Sequence, residues 1–361
     1  MEKKQLTLTE IGEKLGLSKS TVQRAMANDP RCNPATAERV RKLADELGYR
    51  PDPIFAALAS RRGRGGSAGI PLAYLVDEAP GRDEMSYYTP PLVARATELG
   101  YRIEKINLRT WDSPRRLWKI LFSRGVAGIL ARCLRAEHSA LLEENDIFPL
   151  VCVGRTDPLP FNTVRPSIQF AVHQVWQRMT QLGYRRIGAA VLQHEPMVED
   201  DFSRYSAVLG CQGLSTQAEG APIPPLTTSI RGPSQIVPWV REHRPDAVIG
   251  FHVRHYYELR DAGFKIPEDI GFASLHLFGG PGGNTANGLI AGIAQDYALI
   301  SRSSVNLLDQ MIRHGERGVP EKPVTLMVHS EWLDGRSLPS KGASGQAEPA
   351  AKRARSRVLA S

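Results

Sequence analysis

The sequence predicts an α/β chain: an all-α N-terminal headpiece of helix-turn-helix build with a short hinge helix, then two doubly wound parallel-sheet lobes. Three observations predict it. Residues 7–48 carry consecutive helix-cap signatures, each followed by an apolar stripe of helical period. From Ile70 to His329, short β-like runs alternate with amphipathic helical stretches. The positive charge, +8 in all, sits at the two ends of the chain.

Thr7 followed three residues later by Glu10 has the form of a capping box, so a helix is expected over 8–15 with Leu8, Ile11 and Leu15 on one face. Gly16 permits a sharp turn, and Ser18 is placed to cap a second helix through Met26. Val22, Ala25 and Met26 turn that helix inward. Lys19, Ser20, Gln23 and Arg24 are left on its outer face at i, i+1, i+4 and i+5. Two helices joined by a short glycine-containing turn, the second with polar donors at its start, have the build that enters a major groove. Asn33-Pro34 reads as N-cap and first-turn proline of a third helix, with the stripe Ala37, Val40, Leu43, Ala44 and Leu47, closed by Gly48. Asp52-Pro53 repeats the signature before Ile54-Phe55-Ala56-Ala57-Leu58-Ala59, which runs into RRGRGG at 61–66. Isolated helices shorter than ~12–15 residues barely form in water. This one is expected to need DNA, a partner copy or both to order it.

These residues carry a resemblance. The stretch from Leu6 to about Arg61, with its caps, turn glycine, Gly48-Tyr49-Arg50-Pro51 and hinge, resembles the headpiece of the LacI/GalR family of bacterial transcription regulators. The resemblance implies that Lys19, Ser20, Gln23 and Arg24 meet bases and phosphates and that Leu58 enters the minor groove. The DNA-facing set expected is Thr7, Ser18, Lys19, Ser20, Thr21, Gln23, Arg24, Asn33, Tyr49, Leu58, Ala59 and Arg61. There are departures. Ala27 stands where the family usually has asparagine, Gly12 replaces a common helix alanine at about 1 kcal/mol of helix propensity, and Asp52-Pro53 replaces an Asn-plus-polar pair.

Composition narrows the function. At 361 residues there is room for two or three domains. No apolar run approaches the ~20 residues of a membrane span, and the polar start MEKKQ is unlike a signal peptide. Cys32, Cys133, Cys152 and Cys211 are scattered without a CxxC pair, so a reduced, cytoplasmic protein is expected. Residues 1–66 hold 13 Lys/Arg against 8 Asp/Glu (+5), residues 341–361 hold 5 against 1 (+4), and the middle holds 28 against 29 (−1). That is the footprint of a polyanion binder with a neutral body.

The domains expected are 1–50, the headpiece; 51–69, hinge and linker; 70–339, a two-lobed core; and 340–361, a disordered basic tail. In the core, strands are expected over 71–76, 101–107, 126–131 and 150–153, with helices over 86–99, 113–123 and 137–145 between them. The pattern repeats with helices over 166–182, 201–213, 234–243, 255–262 and 297–313. Strands fall over 186–192, 247–251, 271–275, 289–293 and 324–329, the last closing the body. Such alternation argues for parallel sheets with helical crossovers and for two successive halves with a ligand cleft between them. The resemblance extends here more loosely. Leu182-Gly183-Tyr184-Arg185-Arg186-Ile187-Gly188, Arg244-Pro245-Asp246-Ala247-Val248 and Ile266-Pro267-Glu268-Asp269-Ile270-Gly271-Phe272 are similar to landmarks of the family's core, which is of periplasmic-binding-protein type. Where the family usually follows with an aspartate pair, this chain has Ala273-Ser274-Leu275-His276.

Other constellations weigh less. His252, His255 and Glu258 at i, i+3 and i+6 drift around a helix and lack a fourth donor, so no metal is expected. Gly279-Gly280-Pro281-Gly282-Gly283 lacks the Gly-Lys-Ser/Thr of a phosphate loop. Glu199-Asp200-Asp201 reads as a helix start favoured by the dipole. No Ser/His/Asp spacing specific to a hydrolase is present, so neither an enzyme nor a cofactor is expected. Leu58 has no second apolar stripe to bury it, which favours a wedge that unstacks a base step. Tyr87, Tyr88, Arg204, Phe251, His252, His276 and Asp296 are the effector candidates, rings for stacking on a sugar and polar groups for its hydroxyls.

The reading is a sequence-specific DNA-binding transcription regulator, a ligand-responsive repressor that binds a palindromic operator as a homodimer with a sugar or related small molecule as effector. Two alternatives stay open: a small-molecule sensor whose headpiece is vestigial, and an enzyme built on the lobed core.

Overall fold

The structure, a computed structural model, describes residues 7–26, 31–47, 69–78, 87–110, 114–132, 134, 136–154, 159–216, 219–229, 232, 234–277 and 288–341. The hinge over 54–59, with Tyr49, Leu58, Ala59 and Arg61, lies outside the described residues, as does the tail beyond Lys341.

The headpiece is three helices, α1 (Leu8–Leu15), α2 (Lys19–Met26) and α3 (Pro34–Glu46). Ile11, Val22, Ala25, Ala37, Val40 and Ala44 are buried together, with Leu8, Leu15, Leu17, Met26, Cys32 and Leu43 packed around them. The α1–α2 turn explains the glycine at position 12. A Cβ there would lie 2.6 Å from the Leu17 carbonyl oxygen, so the propensity an alanine would add is opposed by a backbone clash. Gly16 takes the left-handed conformation, φ 65°, that lets the chain reverse.

The first lobe is a six-stranded sheet ordered β11-β5-β4-β3-β1-β2. Its strands are β1 (Ile70–Val76), β2 (Tyr101–Asn107), β3 (Gly128–Ala131), β4 (Leu150–Val153), β5 (Asn162–Pro166) and β11 (Thr325–Val328). All of its pairings are parallel. The central strands are apolar on both faces because helices cover both. One side carries α4 (Thr89–Glu98) and α11 (Tyr297–Arg313), whose Ile300, Val305, Leu308 and Met311 pack on Leu72, Tyr74, Leu130 and Val151. The other side carries α5 (Pro114–Ser123) and α6 (Ala136–Glu143), with Leu117, Trp118, Leu121 and Leu142 against Leu75, Ile129 and Cys152.

The second lobe is a sheet ordered β12-β10-β9-β8-β6-β7. It comprises β6 (Ile187–Leu192), β7 (Leu226–Thr228), β8 (Ala247–Gly250), β9 (Gly271–Leu277), β10 (Ala291–Ala294) and β12 (Glu331–Leu333). Helices α7 (Ile168–Gln181) and α8 (Glu199–Leu214) supply one apolar layer, and α9 (Ile236–His243) and α10 (Val253–Asp261) the other.

The sequence-based division into successive halves needs correction. The two compact units are residues 1–167 with 296–329, and 168–295 with 330–361, so the chain passes between lobes three times. The predicted closing strand and the helix before it return to the first lobe: β11 pairs with β5 and α11 fills that lobe's core. Three strands were also missed. Asn162–Pro166 alternates polar residues and ends in proline, so it reads as a loop before a helix at 166; the proline ends β5 and α7 begins at Ile168. β7 and β12 are three residues each, below the length at which alternation registers. β12 also departs from the all-parallel expectation, since it pairs antiparallel to β10.

Candidate functional site

The outer face of α2 is built from its caps. In α1, the Thr7 amide donates to Glu10 Oε2 at 2.7 Å and the Glu10 amide to Thr7 Oγ1 at 3.3 Å, a reciprocal capping box. At the start of α2, Ser18 Oγ accepts from the Thr21 amide at 3.2 Å and lies 2.9 Å from the hydroxyls of Ser20 and Thr21. Asn33 Oδ1 accepts from the Ala35 amide at 2.9 Å to start α3. Thr7, Ser18 and Asn33 therefore hold helix starts, each cap being worth ~1 kcal/mol.

With Val22 and Ala25 buried, Lys19, Ser20, Gln23 and Arg24 are all exposed, and α2 contains no acidic residue. Arg24 Nε donates to the Ser20 carbonyl at 3.2 Å, which holds its guanidinium along the helix while the other nitrogens remain able to meet phosphate. Thr21 is half-buried behind this face. Arg41, which the sequence did not single out, reaches from α3 to donate to the Ala25 carbonyl at 3.5 Å and so ties α3 to the end of α2. An exposed arginine in a helix has no sequence signal for such a bond.

The effector candidates fall into two groups, each within its own lobe. In the first lobe, Tyr88 packs edge-on against Tyr297 at 4.8 Å, and Tyr87 stacks on Tyr297 at 5.7 Å and 22°. The Arg132 guanidinium lies over the Tyr88 ring, Cζ 3.5 Å from the centroid, and donates to the Val153 carbonyl at 3.1 Å. Burial, with Tyr88 nearby, raises the Tyr297 hydroxyl above the ordinary phenol range. Asp296 is a helix cap, its Oδ1 accepting from the Leu299 amide at 2.7 Å. Arg132 and Tyr297 were missed by sequence reading; the signal available was Arg132's place immediately after the β3 strand.

In the second lobe, Arg204, Phe251, His252 and His276 come together at the C-terminal ends of β8 and β9. Arg204 Cζ sits 4.7 Å from the Phe251 centroid, and the His252 and His276 rings are parallel at 6.0 Å. Arg204 is buried and held by Asp201 at 2.7 Å, by Asp200 at 3.9 Å and by the Leu192 carbonyl at 3.1 Å. Asp201 also accepts from the His194 and Val198 amides, at 2.8 and 3.0 Å. Burial alone would raise the Asp201 carboxyl, but these bonds and Arg204 outweigh it and hold the group below its ordinary value. Burial, then the nearby His252 and Arg204, pushes His276 down to about 4, and burial with Arg254 lowers His252. Both rings are thus neutral at pH 7, each with a donor and an acceptor nitrogen. No cluster of three or more His, Cys, Asp or Glu that would hold a metal occurs among the described residues, and no helix there is long and apolar enough to cross a membrane.

The sequence model of the family described as "Bacterial regulatory proteins, lacI family" matches residues 7–52. The chain is 27% identical over 283 residues to the HTH-type transcriptional regulator PtxS of Pseudomonas plecoglossicida, covering 75% of this chain and 79% of that protein. Among solved structures, the lac repressor dimer bound to operator and the anti-inducer ONPF is similar with TM-score 0.57 at 16% identity, over 93% of this chain and 100% of the other. A complex of the transcriptional regulator CelR with cellobiose is similar with TM-score 0.54 at 20% identity, over 92% of this chain and 100% of the other. At those identities the structures speak for the fold alone, and the family match covers the headpiece. Residues 7–52 thus match the headpiece of the lacI family of bacterial regulatory proteins, and the chain shares its fold with the lac repressor and CelR.

Proposed function

We propose that this protein is a sequence-specific DNA-binding transcriptional regulator, a ligand-responsive repressor that engages a near-palindromic operator as a homodimer and acts by binding, without turnover. The observation that carries the reading is the exposed, acid-free face of α2 in a fully capped helix-turn-helix. Lys19 and Arg24 are assigned to phosphates, and Ser20 and Gln23 to base edges, since glutamine can pair bidentately with adenine. Two copies would read two half-sites, with Leu58 of each hinge as the minor-groove wedge.

The effector is a sugar or related small molecule. Support comes from the stacked and polar groups Tyr87 and Tyr88 in one lobe and Arg204, Phe251, His252 and His276 in the other. The cellobiose held by a protein of similar fold points the same way. Differential affinity of effector for two lobe arrangements would shift hinge order, which needs only a few kcal/mol because so short a helix is marginal.

Selection from randomised duplex DNA tests the reading. Enrichment of a near-palindrome is expected, with Gln23→Ala relaxing preference at one position of each half-site. Recovery of no preferred sequence would overturn it.

A further inference from the structure

The second-lobe cluster has hydrogen-bond donors to spare and no charge to spare. A guanidinium carries five N–H donors and no acceptor. Buried Arg204 spends Nη1 on Asp201 and on the Leu192 carbonyl. Its Nε has no acceptor among the described residues, and its Nη2 stands 3.9 Å from Asp200, beyond hydrogen-bond length. A buried cation with an unused N–H calls for an explanation. The carboxylate that holds it, Asp201, is fully engaged, taking two backbone amides, the His194 ring and Arg204 itself. No acidic residue lies on β8 or β9. At their C-terminal ends stand His252 and His276, rings parallel at 6.0 Å and both edge-on to Phe251, at 5.4 and 5.5 Å.

Such a set suits a group that only accepts. A hydroxyl that takes an N–H must pass its own proton to a further acceptor, whereas a carboxylate or phosphate oxygen accepts without donating. Charge sets a second condition. Asp201 already balances Arg204, so an anion arriving here meets no surplus of positive charge, and an unbalanced anion is costly to bury. The two imidazoles, neutral at pH 7, are the groups able to supply the balance.

We propose that the effector presents an anionic oxygen group, a carboxylate or a phosphate, to the second lobe, and that its binding moves one proton from solvent onto the His276 ring. The anion brings −1 and the proton +1, so the cluster keeps its charge. The assignment rests on the effector reading above and narrows it to an acidic sugar derivative. His276 takes the proton rather than His252 because it is the ring that feels the Arg204 charge. The charged and titratable groups around it are Arg204 with Asp200 and Asp201 from α8, and His252 at the cap of α10, with Arg254 and His255 of α10 behind it. Residues 278–287, which follow β9, hold no titratable side chain.

The test is calorimetric binding of the full chain to D-gluconate, D-glucuronate and D-glucose 6-phosphate against D-glucose. At pH 7 at least one acid is expected to bind about tenfold or more tightly than glucose, and which one does so separates carboxylate from phosphate. Affinity for that acid should rise by up to about tenfold per pH unit toward pH 5, with uptake of one proton read from the dependence of the heat on buffer ionisation. A phosphate titrates near pH 6 itself, so glucose 6-sulfate replaces it in the pH series. His276→Gln keeps a neutral donor and acceptor but cannot take the proton, so it should remove the slope and the uptake while melting stays unchanged. Glucose binding as tightly as the acids, or alone, would overturn the assignment and leave the effector reading standing. A slope absent from the parent protein, or kept by His276→Gln, would overturn it too. Binding of none of the four at millimolar concentration would overturn both.

Discussion

Asp201 and Arg204 meet at 2.7 Å in the first turns of α8 with both side chains almost wholly buried. The carboxylate also gathers the amides of His194 and Val198, so one side chain fixes both the loop after β6 and the guanidinium over Phe251.

Asp201→Asn leaves that guanidinium in the interior without its close counter-charge. A loss of about 3 kcal/mol in urea unfolding is expected, in line with removal of one partner from a buried pair. Because the folded carboxyl lies below its ordinary value, its contribution is whole above about pH 4 and fades as the pH falls through the lower folded value. The asparagine variant should lack that acid-side decline, and an unchanged decline would contradict the assignment.

His255 is buried in the first turn of α10, with neither ring nitrogen hydrogen-bonded among the described residues. Burial, with Arg254 and His252 adding to it, pushes its pKa down to about 4. The unfolded chain takes up the proton near pH 6.5, so stability falls between pH 6.5 and 4 by about 3 kcal/mol and levels off below. His255→Leu should remove that loss and, by replacing an unsatisfied polar group with an apolar one, gain about 1 kcal/mol at pH 7. Calorimetric melts of both proteins across this range provide the check.

Val22 is fully buried in the small headpiece core. Val22→Ala deletes two methyl groups at a cost of about 2 kcal/mol, a large share of what so small a bundle possesses. Operator binding should fall at 37 °C while the main melting transition of the lobes does not move.

Arg24→Gln should lower affinity evenly across DNA sequences and reduce the slope of log K against log salt by about 1, as one lost phosphate contact would. Leu58→Gly should act the opposite way, weakening operator binding strongly and nonspecific binding little. Equal losses on both kinds of DNA would remove the wedge.

The headpiece was legible because its determinants are local. Thr7 with Glu10, and Asn33 with Pro34, act within one turn and leave their mark at fixed spacing. The lobes were legible as alternating periods, but a period reports that a face is buried, not which sheet buries it. Nothing in the sequence of Tyr297–Arg313 shows that Leu308 and Met311 pack on strands that begin more than a hundred residues earlier. The Tyr88–Arg132–Tyr297 cluster was hidden for the same reason, its members being joined only by folding. Asp296, an effector candidate by residue type, also caps α11, a role that leaves the same mark in the sequence.

The three passages between lobes are brief: Ser167 alone separates β5 from α7, Gln295 and Asp296 separate β10 from α11, and His329 and Ser330 separate β11 from β12. A gene truncated after codon 295 would therefore strip α11 and β11 from the first lobe and β12 from the second at one stroke. Exchange of one lobe between related genes would need breakpoints at all three passages, so an effector specificity held by a single lobe has to evolve by substitution in place, not by shuffling.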